Sequence, residues 1–187
     1  MSTGYQIKEQ DAPHYITLQV VYWVDIFTRQ VYRDIVVESL RYCQQNKGLE
    51  IFAFVIMSNH IHLIVRSQNN DLSGVLRDFK KYTSKRITEA IETGTESRKA
   101  WMLRLFTHAA KRQNKEGTYQ VWTHENHAIQ LYSNIVIQEK VNYIHLNPVR
   151  SGIVENQDEY VYSSAKKYAG RQSIIDVVVV DRIWKTY

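Results

Sequence analysis

The chain has 187 residues, enough for one domain with a sizeable core and short for two. Its net charge of +5 suits a polyanionic partner, and its single cysteine, Cys43, excludes an internal disulfide and fits a reducing cytoplasm. No run approaches the roughly 18 apolar residues of a membrane span, so no membrane partner is expected.

The first thirteen residues are polar and lack the apolar stretch of a secretion signal, so a cytoplasmic setting is expected. Residues 14–22 read as a strand and 31–47 as a helix ended by Gly48. Residues 50–57 and 60–66 read as two strands, turned at Ser58-Asn59. A helix over 72–92 closes at Gly94, a further helix covers 97–113, and Tyr119–Thr123 is the expected last strand. Residues 134–146 read as a helix stopping before Pro148, and Ile174–Val180 is β-prone. The order β-α-β-β-α predicts an α+β fold: a ferredoxin-like antiparallel sheet with helices packed on one face, plus a C-terminal helical extension. One domain, 1–187, is expected, with a core over 14–130 and an extension over 131–187.

Chemistry enters with His60-Ile61-His62. In an extended segment side chains alternate faces, so the two histidines point one way and Ile61 the other. Two imidazoles about 6–7 Å apart at Cα, two strand rises, can share one metal ion. Imidazole suits several borderline ions, so the pair does not choose the metal. Structural His-x-His pairs are also common.

Leu72, Leu76, Phe79, Thr83, Ile87 and Ala90 recur at helical spacing and define a buried stripe. Tyr82 falls beside that stripe, with Arg86 one turn further along the same flank. Arg77, Lys80, Lys81, Lys85 and Arg86 surround it with positive charge. A free phenol, with a pKa near ~10, is a poor nucleophile at neutral pH, and a cationic neighbourhood favours both its phenolate and the approach of a phosphate. Taken alone, the helix reads first as a basic solvated surface whose tyrosine packs at a boundary.

Together, Met57-Ser-Asn-His-Ile-His-Leu-Ile-Val65 and Leu76-Arg-Asp-Phe-Lys-Lys-Tyr-Thr-Ser-Lys-Arg-Ile87 resemble the single-tyrosine transposases of the HUH endonuclease superfamily. Val141-Asn-Tyr-Ile-His-Leu-Asn-Pro-Val-Arg150 and Tyr160-Val-Tyr-Ser-Ser-Ala-Lys-Lys-Tyr168 are similar to its REP-associated tyrosine transposase branch, and the likeness runs over 14–170. The resemblance implies a transposase that cuts single-stranded DNA with hairpin structure by tyrosine attack on a backbone phosphate. A 5′-phosphotyrosine and a free 3′-hydroxyl result, and rejoining needs no nucleotide cofactor. It assigns Tyr82 as nucleophile and His60 and His62 as ligands of a divalent metal ion, Mg or Mn. Tyr119, Tyr143 and Tyr160 lie in segments able to approach the sheet, but none follows the histidine pair on a basic helix. Arg77, Lys80, Lys81, Lys85, Arg86 and Arg150 are the expected DNA contacts.

The family usually adds a Gln or Asn ligand one turn after the tyrosine. That position holds Arg86, whose guanidinium has no lone pair to offer. Asp78 is a substitute, though an ion pair with Lys81 or Arg86 is the preferred reading. Two alternatives therefore stand beside the transposase: a relaxase or replication-initiator nickase, and a DNA-binding module without catalysis. The long extension favours a monomer over a homodimer. His124 and His127 read as a loop pair and His145 as a boundary residue, while Asp25 and Arg29 form a polar loop of unassigned role.

Overall fold

In the computed structural model, which describes residues 6–113 and 118–180, the chain runs β1 (His14–Gln19), α1 (Gln30–Lys47), β2 (Leu49–Ile56), β3 (His60–Ser67), α2 (Leu72–Thr93), α3 (Lys99–Arg112), β4 (Ile129–Gln130), α4 (Asn134–Arg150) and α5 (Ala165–Tyr168). The sheet is antiparallel in the order β2-β3-β1-β4, the ferredoxin-like arrangement expected. β2 and β3 join through a tight turn in which the Met57 N–H donates to the His60 carbonyl at 2.9 Å. α1 ends at Gly48, whose φ of 64° suits a residue without a Cβ.

Alternation along the strands builds two cores. Ile16 and Leu18 of β1 and Ile61, Leu63 and Val65 of β3 pack with Val36 and Leu40 of α1 and Leu76, Phe79 and Ile87 of α2. Tyr15, Ala53, Val55 and Ile64 face the other way, onto Ile137, Val141 and Ile144 of α4. β2 serves both cores out of simple parity because its register against β3 shifts between Ile51 and Ala53. α1 and α2 therefore cover one face, as the strand order predicts, and the C-terminal extension supplies the cover of the other.

Four expected boundaries differ. The first strand, expected over 14–22, ends at Gln19, and Val21–Trp23 forms a short turn. Tyr119–Thr123 forms no ladder: it meets the end of β1 through the isolated Val20–Trp122 bridge and a bond from Thr123 N–H to the Gln19 carbonyl at 2.9 Å, and the fourth strand is Ile129–Gln130. Trp122 is instead held by its side chain, with its indole N–H donating to Thr83 Oγ1 at 2.8 Å and its ring near Phe27 and Phe79. α4 continues through Pro148 to Arg150. A proline so near the end forfeits one helical hydrogen bond, its ring is buried, and Ser151 N–H still reaches the Asn147 carbonyl at 3.0 Å. Ile174–Val180 adds no strand, yet Val178 N–H donates to Ile51 of β2 at 2.9 Å.

Asp25 and Arg29 acquire a role here. Glu96 has a buried side chain that receives Arg29 Nε at 2.8 Å, Arg98 Nε at 3.2 Å and the Arg98 backbone N–H at 3.1 Å. Tyr32 Oη donates to it at 3.3 Å, and Asp25 holds the far side of Arg98 at 2.6 Å. Burial alone would raise the Glu96 pKa; the bonds from Arg98 and the charge of Arg29 outweigh it and leave the group below the usual 4.5. A depressed carboxyl stabilises the fold above its unfolded pKa and loses that contribution as pH falls through the folded value. Glu96→Gln should therefore destabilise by on the order of 1–2 kcal/mol at pH 7, because the half-exposed arginines can turn to water. Thermal melts should show the gap to wild type closing as pH falls below 4.5; a gap independent of pH would contradict the ionic account.

Candidate functional site

His60 and His62 open β3, paired with Gln19 and Thr17 of β1, and both face α4. Their ring centroids are 4.7 Å apart, with planes at 70°. The His60 Nδ1–H donates to Asn59 Oδ1 at 2.7 Å, which leaves its lone pair on Nε2. His62 Nδ1 lies 2.8 Å from Tyr15 Oη and 2.9 Å from Thr17 Oγ1; with the proton there, its Nε2 also carries a lone pair. Among the described residues no hydrogen bond reaches either Nε2. Burial lowers the pKa of His60. Burial first, then the charges of His60 and Lys140, pushes His62 down to about 3. Both rings are thus neutral at pH 7, the form that binds a metal, and the oxygen partner on each Nδ1 fixes the ring's orientation and keeps its Nε2 lone pair available. The donor set fits a divalent ion.

Two tyrosines stand against His62. The Tyr15 ring stacks on it at 5.4 Å, but Tyr15 is buried and its phenol is raised to about 12, chiefly by desolvation, with the Thr17 bond opposing. Tyr143, on α4, meets His62 edge-on at 5.6 Å and keeps 39% of its surface exposed. Arg150 lies 5.5 Å and Lys140 5.8 Å from the Tyr143 ring centre, so cations flank this phenol. Asn147 follows one helical turn after Tyr143, its side-chain N–H donating to the Tyr143 carbonyl at 2.9 Å, which leaves its Oδ1 as a potential donor atom.

Tyr82 does not join this group. The stripe Leu76–Phe79–Thr83–Ile87 binds α2 to the opposite face of the sheet, so the sheet itself separates Tyr82 from the histidines. Tyr82 is 56% exposed and borders a pocket of about 500 Å³ with Tyr42, Cys43 and Lys47 of α1. Arg86 is likewise remote and pairs with Glu89 at 3.0 Å. Asp78 is an ion-pair residue, as preferred, but its partners are Lys47 at 2.6 Å and Arg77 at 3.3 Å rather than Lys81 or Arg86. Among the described residues no group of three or more His, Cys, Asp and Glu gathers to hold a metal. His145 is buried, its Nε2 2.8 Å from Ser164 Oγ.

The basic helix faces an open groove of about 810 Å³, bordered by Arg77, Lys80, Lys81, Lys85 and Trp122. Its cations are not equivalent. Lys80 Nζ donates to the carbonyls of Thr123 and His124 and to Asn126 Oδ1, at 2.6, 3.0 and 2.8 Å, and so ties down the loop before β4. Lys85 pairs with Glu89 at 3.8 Å, and Lys81 is exposed.

One further element borders the histidines. Tyr22 and Trp23 carry φ of 55° and 57°, a left-handed backbone that costs non-glycine residues about 1–3 kcal/mol each. Their side chains are exposed, between the buried Val21 and Val24.

The neutrality of His62 is directly measurable. Nitrogen-15 NMR of the metal-free protein at about pH 5 should show a neutral imidazole for His62, where an ordinary histidine is protonated. Imidazolium shifts for His62 at that pH would contradict the buried site described here.

Known proteins agree with this architecture. Residues 12–126 match the family described as "Transposase IS200 like". The solved structure of a REP-associated tyrosine transposase bound to a REP hairpin matches with a TM-score of 0.59 at 16% identity, covering 99% of this chain and 100% of that one. A Deinococcus radiodurans R1 protein described as a transposase gives 0.42 at 17% identity, over 77% of this chain and 95% of its own. No curated protein matches. Among the described residues no helix is long and apolar enough to cross a membrane. With the match extending over more than half its length, the chain belongs to the IS200-like transposase family.

Proposed function

We propose that this transposase cuts and rejoins single-stranded DNA beside hairpins, with Tyr143 rather than Tyr82 as its nucleophile. The observation that carries the reading is the half-exposed Tyr143 phenol set against His62 within a single chain. The similar REP-associated enzyme was solved with a REP hairpin, which supports hairpin DNA as the partner. A site complete in one chain supports action as a monomer.

A divalent ion, Mg²⁺ or Mn²⁺, would be held by the Nε2 atoms of His60 and His62 with the Asn147 side-chain oxygen, and would polarise the scissile phosphate. The chain's own residues supply the rest. Lys140 and Arg150 draw the phosphate to the Tyr143 ring. The Tyr143 oxygen bonds to phosphorus as the bond to the 3′ oxygen breaks, and the phenolic proton ends on that oxygen. The product is a 5′-phosphotyrosine and a free 3′-hydroxyl, which retains the energy of the broken ester, so attack by another 3′-hydroxyl reseals the strand. Tyr15 and Thr17 hold the His62 ring in place. The non-catalytic alternative drew on Arg86 at a ligand position; with Tyr143 as nucleophile that position becomes Asn147, an amide able to coordinate.

Incubation with labelled single-stranded hairpin DNA and Mn²⁺ tests the assignment. Tyr143→Phe should abolish the covalent adduct and leave binding intact, Tyr82→Phe should retain it, and His60→Ala or His62→Ala should remove cleavage. An adduct mapped by peptide mass to Tyr82 would restore the sequence-based assignment and overturn this one.

The groove beside α2 is the second part of the proposal: it takes the DNA backbone away from the cut. Lys81→Ala should lower the slope of log affinity against log salt by about one unit or less. Lys80→Ala should act mainly by loosening the 123–126 loop, seen as faster amide exchange there. Unchanged salt slopes in Lys81→Ala and Lys85→Ala would make this face a solvated surface only.

A further inference from the structure

Trp23 is 60% exposed, although its stretch of backbone is anchored on both sides. Val21 and Val24 on either side are buried, and Val21 N–H, Trp23 N–H and Val24 N–H are all bonded to backbone carbonyls. Two consecutive left-handed residues turn Tyr22 and Trp23 outward, a conformation that bulky side chains adopt only when the surrounding structure imposes it. The indole lies edge-on to His60, 6.2 Å between ring centres at 79°. Asn59 joins the two: its amide N–H donates to the Trp23 carbonyl at 3.4 Å while its oxygen receives His60 Nδ1–H. A large aromatic face is thereby presented to water from an anchored backbone, beside an imidazole of the candidate site.

Packing within the fold does not account for the exposed part of this ring, which faces water on a turn that glycine would adopt without strain. We propose that Trp23 is a stacking platform for an unpaired base of the nucleotide next to the reacting phosphate, an inference that rests on reading the histidine pair as the DNA-cleavage centre. Indole offers the broadest π face of any side chain and receives any base, so the platform orients the strand without selecting its sequence. A base parked there carries its backbone past His60, with the adjoining phosphate directed to Tyr143. Tyr22, beside it, leans towards His108 at 6.0 Å and is turned away from the histidine pair.

The test separates base from backbone. Fluorescence anisotropy with the full chain in chelator-treated buffer would compare labelled oligo-dT with an abasic oligonucleotide of the same length. Trp23→Ala should bind oligo-dT roughly ten-fold more weakly, the equivalent of ~1.4 kcal/mol, with abasic affinity unchanged. Trp23→Phe should keep most of the affinity, and Trp23→Leu, which retains apolar bulk without a π face, should behave as alanine and carries the test if Trp23→Ala melts. Equal losses for both oligonucleotides, no loss for oligo-dT, or a wild type that prefers neither probe would each overturn the platform. The cleavage reading fails separately: base-dependent binding lost in Trp23→Ala, without any phosphotyrosine adduct in wild type, refutes cleavage and upholds the platform.

Discussion

β3 is the central constraint of this molecule, because it is buried on both faces and its alternation must satisfy two different cores at once. Ile61, Leu63 and Val65 belong to the core under α1 and α2, and Ile64 to the core under α4. His60 and His62 continue the second stripe towards the end of the strand. They are consequently enclosed by α4 and its neighbours, which keeps them uncharged, and they sit where the apolar layer gives way to Lys140, Arg150 and open surface. Burial costs such groups little because each Nδ1 has an oxygen partner.

Most of the fold was legible because the strong signals were local. Period-two runs marked β1, β2 and β3, and the stripe from Leu72 to Ile87 marked α2. The glycine after α1 stopped it where expected. The failures share one cause, which is that sequence periodicity reports which side of an element is buried and not which neighbour buries it. Trp122 was read as part of a strand because aromatic and β-branched residues favour ladders, whereas its place is set by Thr83 and two phenylalanines. Pro148 was read as a stop, although in the last turn its missing N–H costs a single bond.

The proposed nucleophile shows the same limit more sharply. Charge density around Tyr82 drew attention to α2, yet strand parity already set that helix and the histidines on opposite faces of the sheet. If α1 and α2 cover the face that Ile61 joins, the histidines on either side of Ile61 must look the other way, towards a helix that comes later in the chain. Tyr143 and Asn147, one turn apart on the first such helix, were the residues to examine. Charge was the weaker guide because its purposes differ: Lys80 secures a loop, Lys85 and Arg86 share Glu89, and Lys47 and Arg77 share Asp78.

The margins of the sheet bear on how copies of this chain can meet. Tyr162, Ser164 and Val178 take up hydrogen-bonding positions along β2, while Asn126, Thr123 and Leu131 do so beside β1. Irregular segments thus take up backbone positions along the outer side of β2 and along the part of β1 that the two-residue β4 leaves uncovered. Growth of a continuous sheet from one molecule into the next is opposed along β2, where the outer backbone groups of Ile51, Phe54 and Ile56 are already bonded within the chain, and β4 offers only two residues at the other border. The backbone ladder along β2 is thereby largely used up within the chain, and the helical surfaces are what the fold leaves free for contact.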